Sequence, residues 1–149
     1  MPTPGGFTLV TEKGAEDAIP LAISSLTLAV GDMLMLNVGA TTWVAATSST
    51  AHWQRKAVTI QAATSAMTEV LCQEVFPGQM WVAEVANTAD TAHNGDRMVL
   101  TDSNTVNNTG TDSAAKEAVF IQSVPVGALS DKRVMGRIVW GSGVNPDAT

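Results

Sequence analysis

Few side chains in this sequence could take part in chemistry. Catalysis needs a base, a nucleophile or a metal, and the histidine supply is His52 and His93 alone. His93-Asn-Gly-Asp96 is a turn-forming string in which Asn94-Gly95 is a strong hairpin signal, and its polar side chains are expected to satisfy local backbone. Cys72 is the only cysteine, which excludes an intrachain disulfide and any metal site drawing on two thiolates. It alternates with Val70 on the expected inward face of a strand, where a free thiol behaves as a small buried hydrophobe. Glu69, Glu74 and Glu84 could supply the paired carboxylates of a glycosidase, which must stand about 5–10 Å apart across a cleft. Strand carboxylates usually face water, so no catalytic role is assigned to them. Gly141-Ser-Gly143 lacks the five-residue pattern of a nucleophile elbow. No phosphate-binding glycine loop, dinucleotide fingerprint or histidine pair at metal-ligand spacing is present, so no catalytic residue, cofactor or metal is expected. The remaining cluster with a recognisable use is His52-Trp53 with Arg55-Lys56, basic and aromatic together, which can clamp an acidic loop of a partner protein or stack on a ring.

The elements that would carry these residues read as β-strands. Alternation marks Phe7–Val10, Leu26–Val30, Met33–Val38, Thr42–Ala46, Thr68–Phe76, Gln79–Ala86, Arg97–Thr101, Ala118–Val124 and Lys132–Trp140, at the 8–12-residue spacing of sandwiches and barrels. Gly31-Asp32 is expected to turn one hairpin and Pro77-Gly78 a second, longer one. Val58, Ile60 and Ala62 alternate as in a strand, while the alanines around them leave a short helix over 57–67 open. The charged segment 12–17 reads as a turn, and the Thr-, Asn- and Asp-rich stretch 102–113 as a long loop. The expectation is therefore a single all-β domain, a β-sandwich or β-barrel-like fold with the β-tulip arrangement among its variants. It spans residues 11–140, between an extended N-terminal arm, 1–10, and a flexible tail, 141–149. Val70, Cys72, Leu34, Leu36, Val82, Ile138 and Phe120 are expected in its core.

Composition narrows the partners. The chain has 149 residues, 45% of them hydrophobic, enough for one ordinary core. Eight basic residues against 14 acidic ones give a net charge of −6, which repels a phosphate backbone, so nucleic acid is not expected as a partner. Only 15% of residues are charged against about 25% in average proteins, a balance found in Thr-rich β proteins and in surfaces buried by assembly. No signal-peptide pattern opens the chain, and no apolar window reaches the roughly 18 residues of a membrane span. Synthesis in the cytoplasm and no membrane partner are the expectations.

Taken in order, these features resemble the head decoration, or capsid cement, proteins of tailed phages. The likeness rests on the arm with Pro2, Pro4, Gly5 and Gly6, on Gly31-Asp-Met-Leu-Met-Leu36, and on the Thr- and Ala-rich body. It continues through Asn94-Gly-Asp-Arg-Met-Val-Leu-Thr-Asp102 with the Asn/Thr loop behind it, and a last strand after Ser130-Asp-Lys-Arg133. The resemblance implies a β-rich homotrimer on the virion surface that stiffens the shell by bridging major capsid protein subunits. Pro4, Phe7 and Leu9 of the arm, laid along a capsid strand edge, and His52, Trp53 and Arg55 would be its contact residues. Two alternatives remain: another β-rich virion component such as a tail tube or head fibre base, and a carbohydrate-binding module using Trp43, Trp53, Trp81 and Trp140.

Overall fold

Strand pattern alone does not say which strands pair, and the pairing is where the architecture differs most from the sequence reading. The computed structural model describes residues 6–10, 18–108, 118–126 and 132–144. Strands β1 (Thr8–Leu9), β2 (Ile19–Ala22), β3 (Met33–Leu36), β4 (Val44–Ala45), β5 (Arg55–Thr59) and β6 (Glu69–Glu74) come first. They are followed by β7 (Trp81–Val85), β8 (Arg97–Met98), β9 (Leu100–Asp102), β10 (Thr105–Val106), β11 (Phe120–Pro125) and β12 (Arg133–Ile138). One 3-10 turn, Thr91–His93, lies between β7 and β8. The fold is all-β, as the sequence implies, and the stretch 57–67 contributes a strand and turns instead of a helix.

The larger sheet runs β8-β11-β12-β7-β10-β9, with β1 also paired to β7, and nearly closes into a barrel. The smaller sheet runs β2-β6-β5-β3-β4 and curls into a half-barrel. β6 and β7, the expected long hairpin, do not pair: β6 lies between β2 and β5 while β7 pairs β12, β10 and β1. Pro77-Gly78 is a turn, with Gly78 at φ 88°, but it is a corner between the sheets. Gln79 fixes it, its Oε1 accepting from the Phe76 N–H at 2.7 Å and its Nε2 donating to the Glu74 carbonyl at 3.3 Å. Leu26–Val30 is likewise no strand; only Leu28 makes an isolated bridge, to Ala63. In the Asn/Thr loop the sequence reading missed β10, which runs parallel to β7.

Because β3, β5 and β6 are covered on both faces, alternate residues feed two cores. Val70, Cys72, Ala57 and Leu34 point into the half-barrel with Leu21, Ile23, Leu28 and Trp43. Val58, Val75 and Met33 pack against the large sheet, where Trp81, Val85, Phe120, Val134 and Ile138 form the main core. Of the expected core residues, six are buried. Leu36 is half-buried, packed at the margin of the half-barrel core near the end of its strand.

Candidate functional site

The predicted contact residues fall into three places. Pro4 lies outside the described residues. Phe7 is not offered to a partner: it is 3% exposed, sits in the main core with its ring 6.1 Å from that of Phe120, and donates its N–H to the Gly31 carbonyl at 2.9 Å. Leu9 is half-buried against the same core, and β1 pairs with Val82 and Trp81 of β7. An aromatic and a leucine two residues apart share one face of a strand, and this chain uses that face for its own interior. The arm expected at 1–10 is therefore built into the fold from Gly6 onward.

His52, Trp53 and Arg55 are brought together at the start of β5, all half-buried. A tight turn holds them: the Ala51 N–H donates to Gln54 Oε1 at 2.8 Å, and Gln54 Nε2 donates to Asn37 Oδ1 at 3.0 Å. Arg55 is already engaged, its Nη2 reaching both carboxylate oxygens of Glu74 at 3.0 and 3.1 Å and its guanidinium lying 5.4 Å from the centroid of the Trp43 ring. The tail covers the turn: the Gly143 N–H donates to the Trp53 carbonyl at 2.8 Å, and a Cβ on buried Gly141 would strike that carbonyl. Residues 141–143, expected to be free, are thus docked.

Lys56, read with the basic cluster, belongs to the interior. It is 2% exposed, and its Nζ donates to the carbonyls of His52, Gln54 and Val139 at 2.9, 2.9 and 2.7 Å. Burial pulls its pKa down to about 7, while three carbonyl acceptors favour the charged form. It ties the 52–54 turn to the end of β12.

The candidates for catalysis stay apart. Cys72 is fully buried and its thiol is pushed up to about 12 by desolvation, which makes it unreactive. His93 Nδ1 lies 3.0 Å from Asp96 Oδ2 in the turn expected from Asn94-Gly95, where Gln122 reaches in to Asp90 O at 2.8 Å and Asn94 Oδ1 at 2.9 Å. Glu74 faces Arg55. Among the described residues no group of three or more His, Cys, Asp or Glu could hold a metal ion.

One surface feature stands out instead. Pro20 pairs with Leu71 across β2 and β6, and the Ile60 N–H donates to the Leu71 carbonyl at 3.0 Å, extending the β5–β6 ladder by one residue. Directly opposed residues share a face, so Pro20, Leu71 and Ile60 form a cross-strand apolar row. The same face carries Val58 and buried Gln73 under the large sheet, but the large sheet stops short of the row. Leu71 is left 38% and Ile60 45% exposed. Val30, 46% exposed, stands with Ile60 on the wall of a cavity of about 310 Å³ between the sheets, which is floored by Phe7, Leu9, Val58 and Trp81. The signal for the row was present in the sequence, since Leu71 is an apolar residue out of phase with Val70 and Cys72. Compared with protein-family models, curated proteins and solved structures, the chain has no significant match.

Proposed function

We propose that this chain is a structural protein of a tailed-phage head, one that binds the capsid exterior as a homotrimer and bridges neighbouring major capsid protein subunits. The observation that carries the reading is the uncovered Pro20-Leu71-Ile60 row. An apolar row that runs out from beneath the packed sheets and stays exposed is what a protein partner buries. Completing the burial of Leu71 and Ile60 would contribute about 0.5–1.5 kcal/mol each, the exposed fraction of the roughly 1.5–3 kcal/mol for burying a whole side chain. That is modest for one site and substantial when three linked copies bind a symmetric shell together. The partner's identity comes from the resemblance to decoration proteins, and the contact residues are reassigned to the row, with Trp53 and His52 as a second, half-buried candidate. Trp43 and Trp81, 6% and 1% exposed, are removed from the four rings a sugar-binding module would use, which leaves that alternative resting on Trp140, 47% exposed, and half-buried Trp53.

The test is co-sedimentation of the purified protein with intact heads of the phage that carries its gene, beside Leu71→Lys and Ile60→Lys. Saturable binding that both variants lose is expected. Protein that remains in the supernatant overturns the capsid reading, and variants that saturate heads like the parent overturn the row as its contact. Sedimentation velocity separates the alternatives: a trimer supports the reading, whereas a hexameric ring would make the chain a tail-tube subunit.

A further inference from the structure

Asn94-Gly95, the only Asn-Gly pair in the chain, carries a reaction of its own. Glycine has no Cβ to shield its backbone nitrogen, so that nitrogen can attack the side-chain carbonyl carbon of the asparagine before it. A carbon–nitrogen bond forms, ammonia leaves and a cyclic imide remains; water then opens the imide at either carbonyl, leaving aspartate or isoaspartate. Water is the only co-reactant, and both residues are exposed to it. The fold nevertheless holds the reacting groups apart. The Gly95 N–H donates to the Gln122 carbonyl at 2.7 Å, and Gln122 Nε2 donates to Asn94 Oδ1 at 2.9 Å and to the Asp90 carbonyl at 2.8 Å. Ring closure requires the Gly95 nitrogen to eclipse the Asn94 Cβ, which in an L-residue means a strongly negative ψ. Asn94 stands at ψ 126°, with that nitrogen turned well away. Gln122 is itself fixed, 1% exposed within β11 and donating its N–H to the Asp96 carbonyl at 3.3 Å.

We propose that Asn94 is a self-modification site held shut by Gln122, which deamidates in molecules whose β8–β11 edge has opened. Gln122 holds the nucleophile with its carbonyl and the amide under attack with its side chain, so one residue controls both reacting groups. β8 is two residues long, lies at the end of the large sheet and pairs with β11 through Met98 and Arg97, the kind of short edge that opens locally without global unfolding. The product marks the opening. Isoaspartate carries the main chain through the side-chain carbon and so inserts one more backbone atom before Gly95, which takes the Gly95 N–H out of register with the Gln122 carbonyl. Either product places a new carboxylate within four residues of both Asp90 and Asp96. The site is independent of the capsid reading, since nothing in it depends on what the chain binds.

The experiment incubates the full chain, folded and in concentrated urea, at mildly alkaline pH, and follows the peptide containing Asn94 by mass spectrometry, with isoaspartate scored by enzymatic methylation. Deamidation of the folded chain should be at least about tenfold slower than that of the unfolded chain, because it waits on local opening. Gln122→Met keeps the side-chain length and removes the donor, and should raise the folded rate several-fold. A folded parent that deamidates as fast as the unfolded chain overturns the proposal, as does a folded Gln122→Met variant that is modified as slowly as the parent. If that variant does not fold, the parent decides alone: in urea below the unfolding transition, deamidation of Asn94 and hydrogen exchange of the Gly95 amide should accelerate in proportion, and a deamidation rate that does not follow the exchange rate overturns the gating by Gln122.

Discussion

Lys56→Met isolates the energetic consequence of a buried ammonium group. In the folded chain the side chain is 2% exposed and its three acceptors are all carbonyls, with no carboxylate among them. Burial lowers its pKa from 10.5 to about 7. Between those values the unfolded chain holds a proton that the folded chain has released, so the unfolded state binds more protons and stability rises with pH. The full shift corresponds to about 5 kcal/mol at 1.36 kcal/mol per pKa unit, and the part developed between pH 7 and 10 is on the order of 3 kcal/mol. At any single pH the substitution mixes two opposed effects, relief of the desolvated charge and loss of the donor to three carbonyls, each carbonyl being worth about 1–3 kcal/mol if left unpaired. The slope is free of that ambiguity. Urea unfolding of parent and Lys56→Met at pH 7, 8, 9 and 10 should give a difference in unfolding free energy that moves by on the order of 3 kcal/mol in favour of the parent as pH rises. Groups shared by both proteins cancel in that difference. A difference that stays constant from pH 7 to 10 would refute the reasoning, and would mean that the three carbonyls hold the ammonium charged throughout.

Two further substitutions test the packing around the candidate site. Phe7→Ala removes a ring that is 3% exposed and packed on Phe120, and should lower the unfolding free energy by about 3–5 kcal/mol; a loss below about 0.5 kcal/mol in chemical denaturation would mean that β1 is peripheral. Gly136→Ala places a Cβ against the Ile121 carbonyl and 2.6 Å from the Phe120 ring. It should cost about 1–3 kcal/mol through overpacking, measured the same way, with an unchanged midpoint counting against the tight β11–β12 approach.

Most strands were legible because they depend on local alternation, although Ile19–Ala22 was not read as a strand and Leu26–Val30, which was, forms only an isolated bridge. Val70 and Cys72 read as inward-facing and are buried, and so are Val82 and Phe120. Partner choice was not legible, since it depends on residues far apart in the chain. Pro77-Gly78 carries every local mark of a hairpin, and the Gln79 side chain makes it a corner by capping Phe76 and Glu74, after which β6 and β7 are recruited by different sheets. β10 escaped notice because two residues, Thr105-Val106, are too few to show a period. Lys56 was misplaced for a different reason. Composition treats a lysine as exposed, and only the fold reveals three carbonyls converging on one point. Phe7 misled in the same way: behind Pro4, Gly5 and Gly6 it resembles a free arm, but the close approach of Gly6 to Gly31, with Gly6 at φ 82°, turns the chain so that Phe7 enters the core.

The apolar row and the cavity have one structural cause. β6 must serve two cores, sending Val70 and Cys72 to the half-barrel and Gln73 and Val75 toward the large sheet. The large sheet covers that second face only as far as β1, which is two residues long and shares its edge of β7 with β10. Beyond β1 the face continues without cover as Leu71, Ile60 and Pro20. Beneath β1 the two sheets diverge around Phe7 and Trp81 and leave the cavity. Ile60 belongs to both features, as a rung of the row and as a wall of the cavity.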